Sequence, residues 1–196
     1  MTARSVRLGI YGGAFDPPHL GHLVAASDAC DALGLNRLLW IPSAVHPLKP
    51  VRTPPALRLE MVRAAIHGDP RFAADDLELR RSGPSYTVDT LRELREREPG
   101  AELFFLTGAD NLADLPRWHR PDEITRLATL GVVSRAGDAL PADPAYPAVP
   151  VAVTRVDVSS TEVRRRVAAG ESIRYLVPDA VRAVIERERL YGGHSR

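Results

Sequence analysis

Runs of apolar residues alternate with segments of helical spacing along most of the chain. Five segments are mainly apolar and are bounded by glycine, proline or polar residues, as buried strands are: 6–11, 37–42, 101–108, 127–135 and 151–158. A shorter and more polar strand is predicted within 71–81. Six segments have the apolar spacing of helices: 22–35, 56–68, 85–98, 121–127, 159–170 and 179–190. This alternation predicts an α/β protein whose parallel sheet is covered by helices on both faces.

The order of these segments narrows the architecture. Because crossovers between parallel strands are right-handed, the chain is predicted to form a doubly wound, Rossmann-like sheet. A length of 196 residues suits a single domain, 1–196, closed by helices from about 159. Gly34 is expected to end the first helix, and Thr53 and Thr87 to cap the next two. Ligands of such sheets bind beyond the carboxyl ends of the strands, so the residues that follow each strand are the functional candidates.

Composition and charge argue against several classes of protein. The net charge is +1, so nothing favours a nucleic-acid or membrane surface. No apolar run approaches about 18 residues and the first ten residues lack a signal-peptide pattern, so a cytoplasmic location is expected. Cys30 is the only cysteine, which excludes an internal disulfide and a cysteine-based metal site. A homo-oligomer is left open by the sequence.

The segment GGAFDPPHLGH follows the first strand and leads into the first helix. Gly12 and Gly13 are expected to let the chain turn sharply and to let a ligand approach the backbone. Because residues three apart share a helix face, His19 and His22 are expected to converge there, with the backbone open at Gly21. Two imidazoles beside free N–H groups and a helix dipole favour a phosphate site. A metal site, which would need a third ligand, and a purely structural helix start are the alternatives.

This segment resembles the signature G-x-F-D-P-x-H-x-G-H of the HxGH nucleotidyltransferases. The matching positions are Gly13, Phe15, Asp16, Pro17, His19, Gly21 and His22. The resemblance implies transfer of AMP or CMP from a nucleoside triphosphate to a phosphate-bearing acceptor, with release of pyrophosphate. It implies that the two histidines bind the triphosphate and stabilise the transition state. The residues expected to lie against the nucleotide are Gly12, Gly13, Phe15 and Gly21.

A second signature follows the last predicted strand. DVSSTEVR is similar to the family's I-S-S-T-x-I-R, with Val158 in place of the usual Ile. By this resemblance Arg164 reaches the triphosphate, and three residues at a helix start donate to phosphate: Ser159, Ser160 and Thr161. A Ser/Thr cluster that only caps a helix is the alternative. Because this segment lies about 140 residues after the first signature, at another strand-to-helix turn, the two are expected to meet across the sheet.

Three further stretches indicate the acceptor. GPSYTVDTLREL, FLTGADNLADLPRWHR and SIRYLVPDAV resemble the bacterial nicotinate mononucleotide adenylyltransferases, and this resemblance covers nearly the whole chain. It implies that Tyr86, Thr87 and Trp118 lie at the nicotinate, where a Trp face suits a positively charged ring. It also implies that Asp110 binds the acceptor or its ribose, and that Arg135 reaches a phosphate. The alternatives are a half-buried surface anchor for Trp118 and a helix cap for Asp110.

Lys49 is the single lysine among 26 basic residues. It ends the stretch IPSAVHPLK, which resembles the family's I-P-x-x-x-P-P-H-K, and the resemblance implies a catalytic role as a point charge on the triphosphate. The usual histidine is replaced by Leu48, while a histidine stands two places earlier, at His46. Whether His46 supplies the missing imidazole is left open by the sequence.

These resemblances together imply one reaction. ATP would transfer AMP to nicotinate mononucleotide, giving nicotinate adenine dinucleotide and pyrophosphate, with Mg²⁺ bridging triphosphate oxygens and with no covalent enzyme intermediate. The acceptor phosphate is already ionised at neutral pH, so alignment and charge stabilisation suffice without a general base. The alternatives are another phosphate acceptor, such as nicotinamide mononucleotide, and a non-catalytic ATP-binding regulatory module.

Overall fold

The computed structural model describes residues 5–45, 51–135 and 146–192. The strands of this part of the chain are β1 Arg7–Gly13, β2 Arg37–Pro42, β3 Phe72–Ala74, β4 Glu102–Gly108, β5 Thr129–Arg135 and β6 Ala148–Val153. They form one sheet in the order β3-β2-β1-β4-β5-β6, and every neighbouring pair is parallel. This is the strand order of Rossmann-type sheets, so the predicted doubly wound α/β fold is confirmed.

Helices cover both faces of the sheet. They are α1 Leu20–Leu33, α2 Pro55–Ile66, α3 Thr87–Arg97, α4 Ala109–Asp114, α5 Pro121–Leu127, α6 Ser160–Ala168 and α7 Asp179–Arg187, with 3₁₀ turns at Leu77–Arg80, Leu115–Arg117 and Leu190–Gly192. α1, α2, α6 and α7 enclose one core with Trp40 and Phe104, while α3, α4 and α5 enclose the other with Ile41 and Phe105. Successive strand side chains point to opposite faces, so the adjacent Phe104 and Phe105 belong to different cores.

The position of the crevice in the sheet follows from a reversal in the strand order. β1 lies between β2 and β4, so the chain winds outward from β1 in one direction and later continues from β4 in the other. The loops that follow β1 and β4 therefore diverge, which leaves a crevice at their carboxyl ends. β1 ends at Gly13 and β4 at Gly108, so the segments 14–19 and 109–118 border this crevice.

The helix starts differ from the sequence prediction at two threonines. Gly34 ends α1 in the left-handed conformation, with φ 58°, as predicted. Thr53 does not cap α2: the helix begins at Pro55, so the cap position is held by Pro54, which has no side-chain acceptor. Thr87 does not cap α3: it is the first helical residue, and Tyr86 occupies the cap position without a side-chain hydrogen bond. Both of these cap predictions are wrong.

One predicted strand is found within its segment and another is shifted. The short strand predicted within 71–81 is β3, which ends early because the Asp75 carboxylate accepts the N–H two residues further on (2.9 Å) and a 3₁₀ turn begins there. β6 ends at residue 153, whereas the prediction ran over 151–158. The backbone N–H of Thr154 instead donates to the Asp28 carboxylate of α1 (2.6 Å), so the chain leaves the sheet at this residue.

Candidate active site

A cavity of about 1680 Å³ opens at the carboxyl ends of β1 and β4. The predicted site residues that line it are Gly12, Gly13, Phe15, His22, Tyr86, Thr87, Asp110, Trp118, Ser160, Thr161 and Arg164. They come from the end of β1 and the loop that follows it, from α1, from the start of α3, from α4 and the segment after it, and from α6. The C-terminal residues 189–192 form a further part of the wall. One continuous space is therefore bordered by both signatures and by the expected acceptor residues.

The two histidines of the first signature lie in contact, as predicted. His19 holds the cap position of α1 with an extended backbone, and His22 stands in the first turn. Their ring centroids are 3.7 Å apart and the ring planes meet at 31°. The backbone N–H of His19 donates to Nδ1 of His22 (3.2 Å). Because Nδ1 is an acceptor, a neutral His22 carries its proton on Nε2, which leaves that atom as the donor for a ligand.

Burial keeps both imidazoles neutral in the absence of a ligand. Burial lowers the pKa of His19 to about 4. The pKa of His22 is lowered well below its usual range by burial and then by the proximity of His19. A bound phosphate would oppose both effects, because an adjacent negative charge favours the protonated ring. The pair is therefore able to donate to phosphate as neutral rings and to gain charge when anionic oxygens arrive.

The glycines of the first signature have roles other than a sharp turn. Gly12 and Gly13 lie within β1 and not in a turn, so that prediction is wrong. The turn falls at Phe15, whose φ of 48° is left-handed, and a Cβ at Gly13 would stand 3.1 Å from the Phe15 ring. A Cβ at Gly21 would stand 3.1 Å from two ring atoms of His19. These positions exclude side chains because two rings need the space.

Phe15 supports the site from inside the core. Its ring is buried and packs against Tyr11 and Trp40, with centroid distances of 5.4 and 5.2 Å. Its other face approaches the His22 ring at 5.3 Å, nearly edge-on. Non-glycine residues rarely adopt a left-handed conformation, and those that do are often held at functional sites by their surroundings. Phe15 fixes the position of His22, while contact of Phe15 with a nucleotide stays a prediction.

The second signature meets the first across the sheet, as predicted. The Ser160 hydroxyl donates to the carbonyl of Pro17 (2.8 Å), and Arg164 Nη1 donates to the carbonyl of Asp16 (2.6 Å). Arg164 Nη2 also donates to the Thr161 hydroxyl (3.2 Å). Ser159 caps α6 by accepting the N–H of residue 162 (3.1 Å), which is the structural alternative raised for this cluster. The start of α6 and one arginine are thereby fixed beside the histidine pair.

Arg58 of α2 is a residue that the sequence reasoning missed. It is 1% exposed, yet its guanidinium donates to four backbone carbonyls: Ala14 (2.7 Å), Ser43 (2.6 Å), Ala44 (3.3 Å) and Thr53 (3.1 Å). These carbonyls follow β1, follow β2 and precede α2, so one side chain joins three segments at the crevice. The sequence does contain an indication of this role. Arg58 stands at helical spacing from the buried apolar positions of α2, so a charged residue falls on the apolar face of that helix.

The expected acceptor residues line the far end of the cavity. The Tyr86 ring stacks on His119 at 4.5 Å, and Trp118 meets Phe105 edge-on at 6.1 Å. The indole Nε1 of Trp118 is buried and has no hydrogen-bond partner among the described residues. The N–H groups of residues 89 and 90 bond the Tyr86 carbonyl, whereas that of Thr87 lies outside the helical ladder. This end of the cavity therefore offers donors and an aromatic face.

A buried carboxylate, Glu78, braces the start of α3 and was also missed. It accepts the Thr90 hydroxyl (2.7 Å) from the first turn of that helix. Burial raises the pKa of Glu78, although hydrogen bonds from Thr90 and Ser85 oppose the shift. Ser85 itself accepts the N–H of Ala44 after β2 (3.0 Å). The acceptor end is thus connected to the loop that follows β2.

The remaining predicted site residues are Asp110, Arg135 and Lys49. Asp110 is exposed in α4 and lines the cavity, and Gly108 holds the cap position, so the capping alternative for Asp110 is wrong. Arg135 ends β5, but its side chain is outside the description. Lys49 lies in 46–50, outside the described residues, as does His46.

Known proteins resemble this chain over almost its whole length. The model of the cytidylyltransferase-like family matches residues 10–166. The chain belongs to the cytidylyltransferase-like family. A family relative named as a probable nicotinate-nucleotide adenylyltransferase, from Thermus thermophilus, is 49% identical over 186 residues, which are 95% of this chain and 100% of the relative. Another of the same name, from Geobacillus thermodenitrificans, is 43% identical over 191 residues, covering 96% and 88%. The family predicted from the signatures is confirmed.

A solved structure of the family has the same fold. The nicotinic acid mononucleotide adenylyltransferase of Plasmodium falciparum, complexed with APC, matches with a TM-score of 0.79 at 18% identity. The match covers 96% of this chain and 98% of that chain. At this identity the match supports the doubly wound architecture alone.

The described residues contain neither a metal-binding cluster nor a membrane-spanning helix. Within them, no group of three or more His, Cys, Asp or Glu side chains is placed to hold a metal ion. None of the helices in the same residues is long and apolar enough to cross a membrane.

Proposed function

We propose that this chain is a nicotinate mononucleotide adenylyltransferase, which converts ATP and nicotinate mononucleotide to nicotinate adenine dinucleotide and pyrophosphate. One observation carries the proposal. The second signature is bonded to the first through Ser160 and Arg164, beside a stacked histidine pair, in a cavity that continues to Trp118. Such a space suits a triphosphate at one end and a ring-bearing phosphate acceptor at the other.

The proposed reaction forms one bond and breaks one bond at the α-phosphorus of ATP, and it requires few side chains. An oxygen of the acceptor phosphate attacks the α-phosphorus of ATP, and the bond from that phosphorus to the bridging oxygen of pyrophosphate breaks. The entering oxygen is already ionised, so no side chain has to remove a proton. Negative charge grows on the leaving pyrophosphate and on the equatorial oxygens, where His22, His19 and Arg164 would supply donors and positive charge. Alignment of the two phosphates supplies much of the remaining rate increase.

The acceptor end favours an anionic ring substituent. A carboxylate placed at the start of α3 would accept N–H groups that the helix leaves unpaired, and the helix dipole would stabilise its charge. The face of Trp118 would lie against the positively charged pyridinium ring. Tyr86, held by its stack on His119, would limit the position of the ring. The proposed roles of Tyr86, Thr87, Trp118 and Asp110 rest on this placement.

Mg²⁺ is part of the proposal as a companion of ATP. Triphosphate oxygens and water would be its ligands, which suits a hard cation that keeps much of its hydration shell. Its contribution would be to neutralise charge on the leaving pyrophosphate. We also propose Arg135 and Lys49 as phosphate-binding residues, on the resemblance alone.

A panel of acceptors tests the proposal. Purified protein is incubated with ATP, Mg²⁺ and one of nicotinate mononucleotide, nicotinamide mononucleotide or phosphopantetheine, and pyrophosphate is measured while the nucleotide product is identified by mass. We expect fast release of pyrophosphate and a dinucleotide with the nicotinate acceptor. Binding of ATP with no pyrophosphate from any acceptor would favour a regulatory module. Turnover with another acceptor alone would retain the transferase and replace the substrate.

A further inference from the structure

The C-terminal 3₁₀ turn touches the first signature directly. The hydroxyl of Tyr191 donates to Oδ1 of Asp16 (2.6 Å), although 175 residues separate the two in the chain. Asp16 is a buried residue of the F-D-P segment, three positions before His19. Burial and the bond to Asp16 both raise the pKa of Tyr191, so the hydroxyl stays protonated and acts as the donor.

Tyr191 is placed where three segments of the site converge. Besides Asp16, the Thr53 side chain and Arg164 lie close enough to Tyr191 to lower the pKa of its hydroxyl, against the larger effects that raise it. Thr53 precedes α2, and its carbonyl is held by the buried Arg58. One phenol therefore joins the loop after β1, the start of α2 and the surroundings of the second signature.

The backbone around Tyr191 is bent to deliver this side chain. Arg189, Tyr191 and Gly192 all have left-handed φ values, of 50°, 64° and 79°. Residues with side chains rarely adopt this conformation, and it persists where the surroundings hold it. The same residues line the cavity. The bend therefore turns residues 189–192 toward the cavity.

We propose that Tyr191 is a positioning residue for the transfer reaction: it fixes the Asp16 carboxylate and thereby the backbone that carries the histidine pair. The backbone at this point is also held by two other hydrogen bonds. The carbonyl of Asp16 accepts one from the Arg164 guanidinium, and the carbonyl of Pro17 accepts one from the Ser160 hydroxyl. Loss of the phenol hydroxyl leaves the Asp16 carboxylate short of a donor, so the loop shifts to find another. This inference rests on the proposed function, because it concerns the triphosphate end of the same site.

Tyr191→Phe is the test, because it removes one hydroxyl and keeps the ring in place. We expect kcat/KM for ATP to fall about tenfold or more, the range for losing a hydrogen bond to a charged group. The KM for nicotinate mononucleotide should change less than about twofold, because the acceptor end is built from α3 and Trp118. Tyr146→Phe is the matched control: its hydroxyl also donates to an aspartate, Asp122 (3.1 Å), but this bond is exposed and neither residue lines the cavity. That variant should retain the wild-type kinetic constants.

A double-mutant cycle with Asp16→Asn separates positioning from general damage. If Tyr191 acts through Asp16, the double variant should be about as impaired as the worse single variant. ATP binding measured by calorimetry provides a readout that does not depend on the acceptor. Tyr191→Phe with wild-type kinetic constants and wild-type ATP affinity would overturn the inference, and so would strictly additive losses in the cycle. Either result would leave the proposed function standing, because the unchanged protein would still turn over its substrates. A wild-type protein without turnover would instead contradict the proposed function.

Discussion

Replacing Gly21 by alanine separates the geometry of the histidine pair from its chemistry. The new methyl group would lie 3.1 Å from Cε1 and Nδ1 of His19 and 3.5 Å from the carbonyl oxygen of Val156. Ordinary contact between such atoms begins at about 3.5 Å, so the ring must move by roughly 0.4 Å. A displacement of about 1 Å costs about 100-fold in rate, so in proportion a shift of roughly 0.4 Å costs about sixfold. We therefore expect kcat to fall about fivefold to tenfold.

The stability of the variant should change much less than its activity. Alanine favours a helix over glycine by at most about 1 kcal/mol, and crowding of the His19 ring costs about 1–3 kcal/mol, so the two oppose each other. A net loss near 1 kcal/mol lowers Tm by about 2–4 °C in a chain of this length. Gly100→Ala is the matched control, because nothing lies within 4 Å of a Cβ built there. Steady-state kinetics and thermal unfolding are measured on both variants. Wild-type kcat in Gly21→Ala would refute the claim that the His19 ring position limits the reaction.

Three further predictions concern individual side chains. His22→Ala should lower kcat by about 100-fold or more while the protein stays folded, as for loss of one transition-state donor; the exposed His67→Ala is its control, and near-normal turnover would remove His22 from the phosphate site. Lys49→Arg should impair turnover although the charge is kept, because a bulky planar guanidinium does not replace a compact ammonium; unchanged kinetics would show that the single lysine has no special role. Because the pKa of His19 in the fold, about 4, lies below the usual 6.5, its unfolded form binds protons first as the pH falls. The free energy of unfolding should therefore decline from about pH 6.5 toward pH 4, less so in His19→Gln, and an identical pH profile in denaturant titrations of the two proteins would contradict this.

The parts of the site that sequence predicted are the parts built from local pattern. The strand and helix periodicity predicted the sheet and its ligand edge, because each depends on residues close together in the chain. The resemblance in both signatures indicated side chains that the structure brings together at one end of the cavity. Their contact through Ser160 and Pro17 followed from the rule that strand ends of one sheet share an edge.

The parts that sequence did not predict depend on distant contacts or on competing local rules. Arg58 has the pattern of an ordinary helix residue until the fold brings four carbonyls around it. Nothing in the last residues of the chain indicates that Tyr191 reaches Asp16. Thr53 has the composition of a cap, but the adjacent prolines set where α2 begins. Gly12 and Gly13 suggest a turn, whereas their small size serves the packing of strand β1, and Phe15 adopts the left-handed bend.

The most direct test of the proposed substrate is the ratio of kcat/KM for nicotinate and nicotinamide mononucleotides at saturating ATP and Mg²⁺. The two acceptors differ only in a carboxylate against an amide, and in the proposed function this group would face the unpaired N–H donors at the start of α3. An amide NH₂ facing such a donor leaves a buried group unpaired, which costs roughly 1–3 kcal/mol. We therefore predict a preference for the nicotinate acceptor of about tenfold to a hundredfold. Equal values, or a preference for the amide, would contradict it.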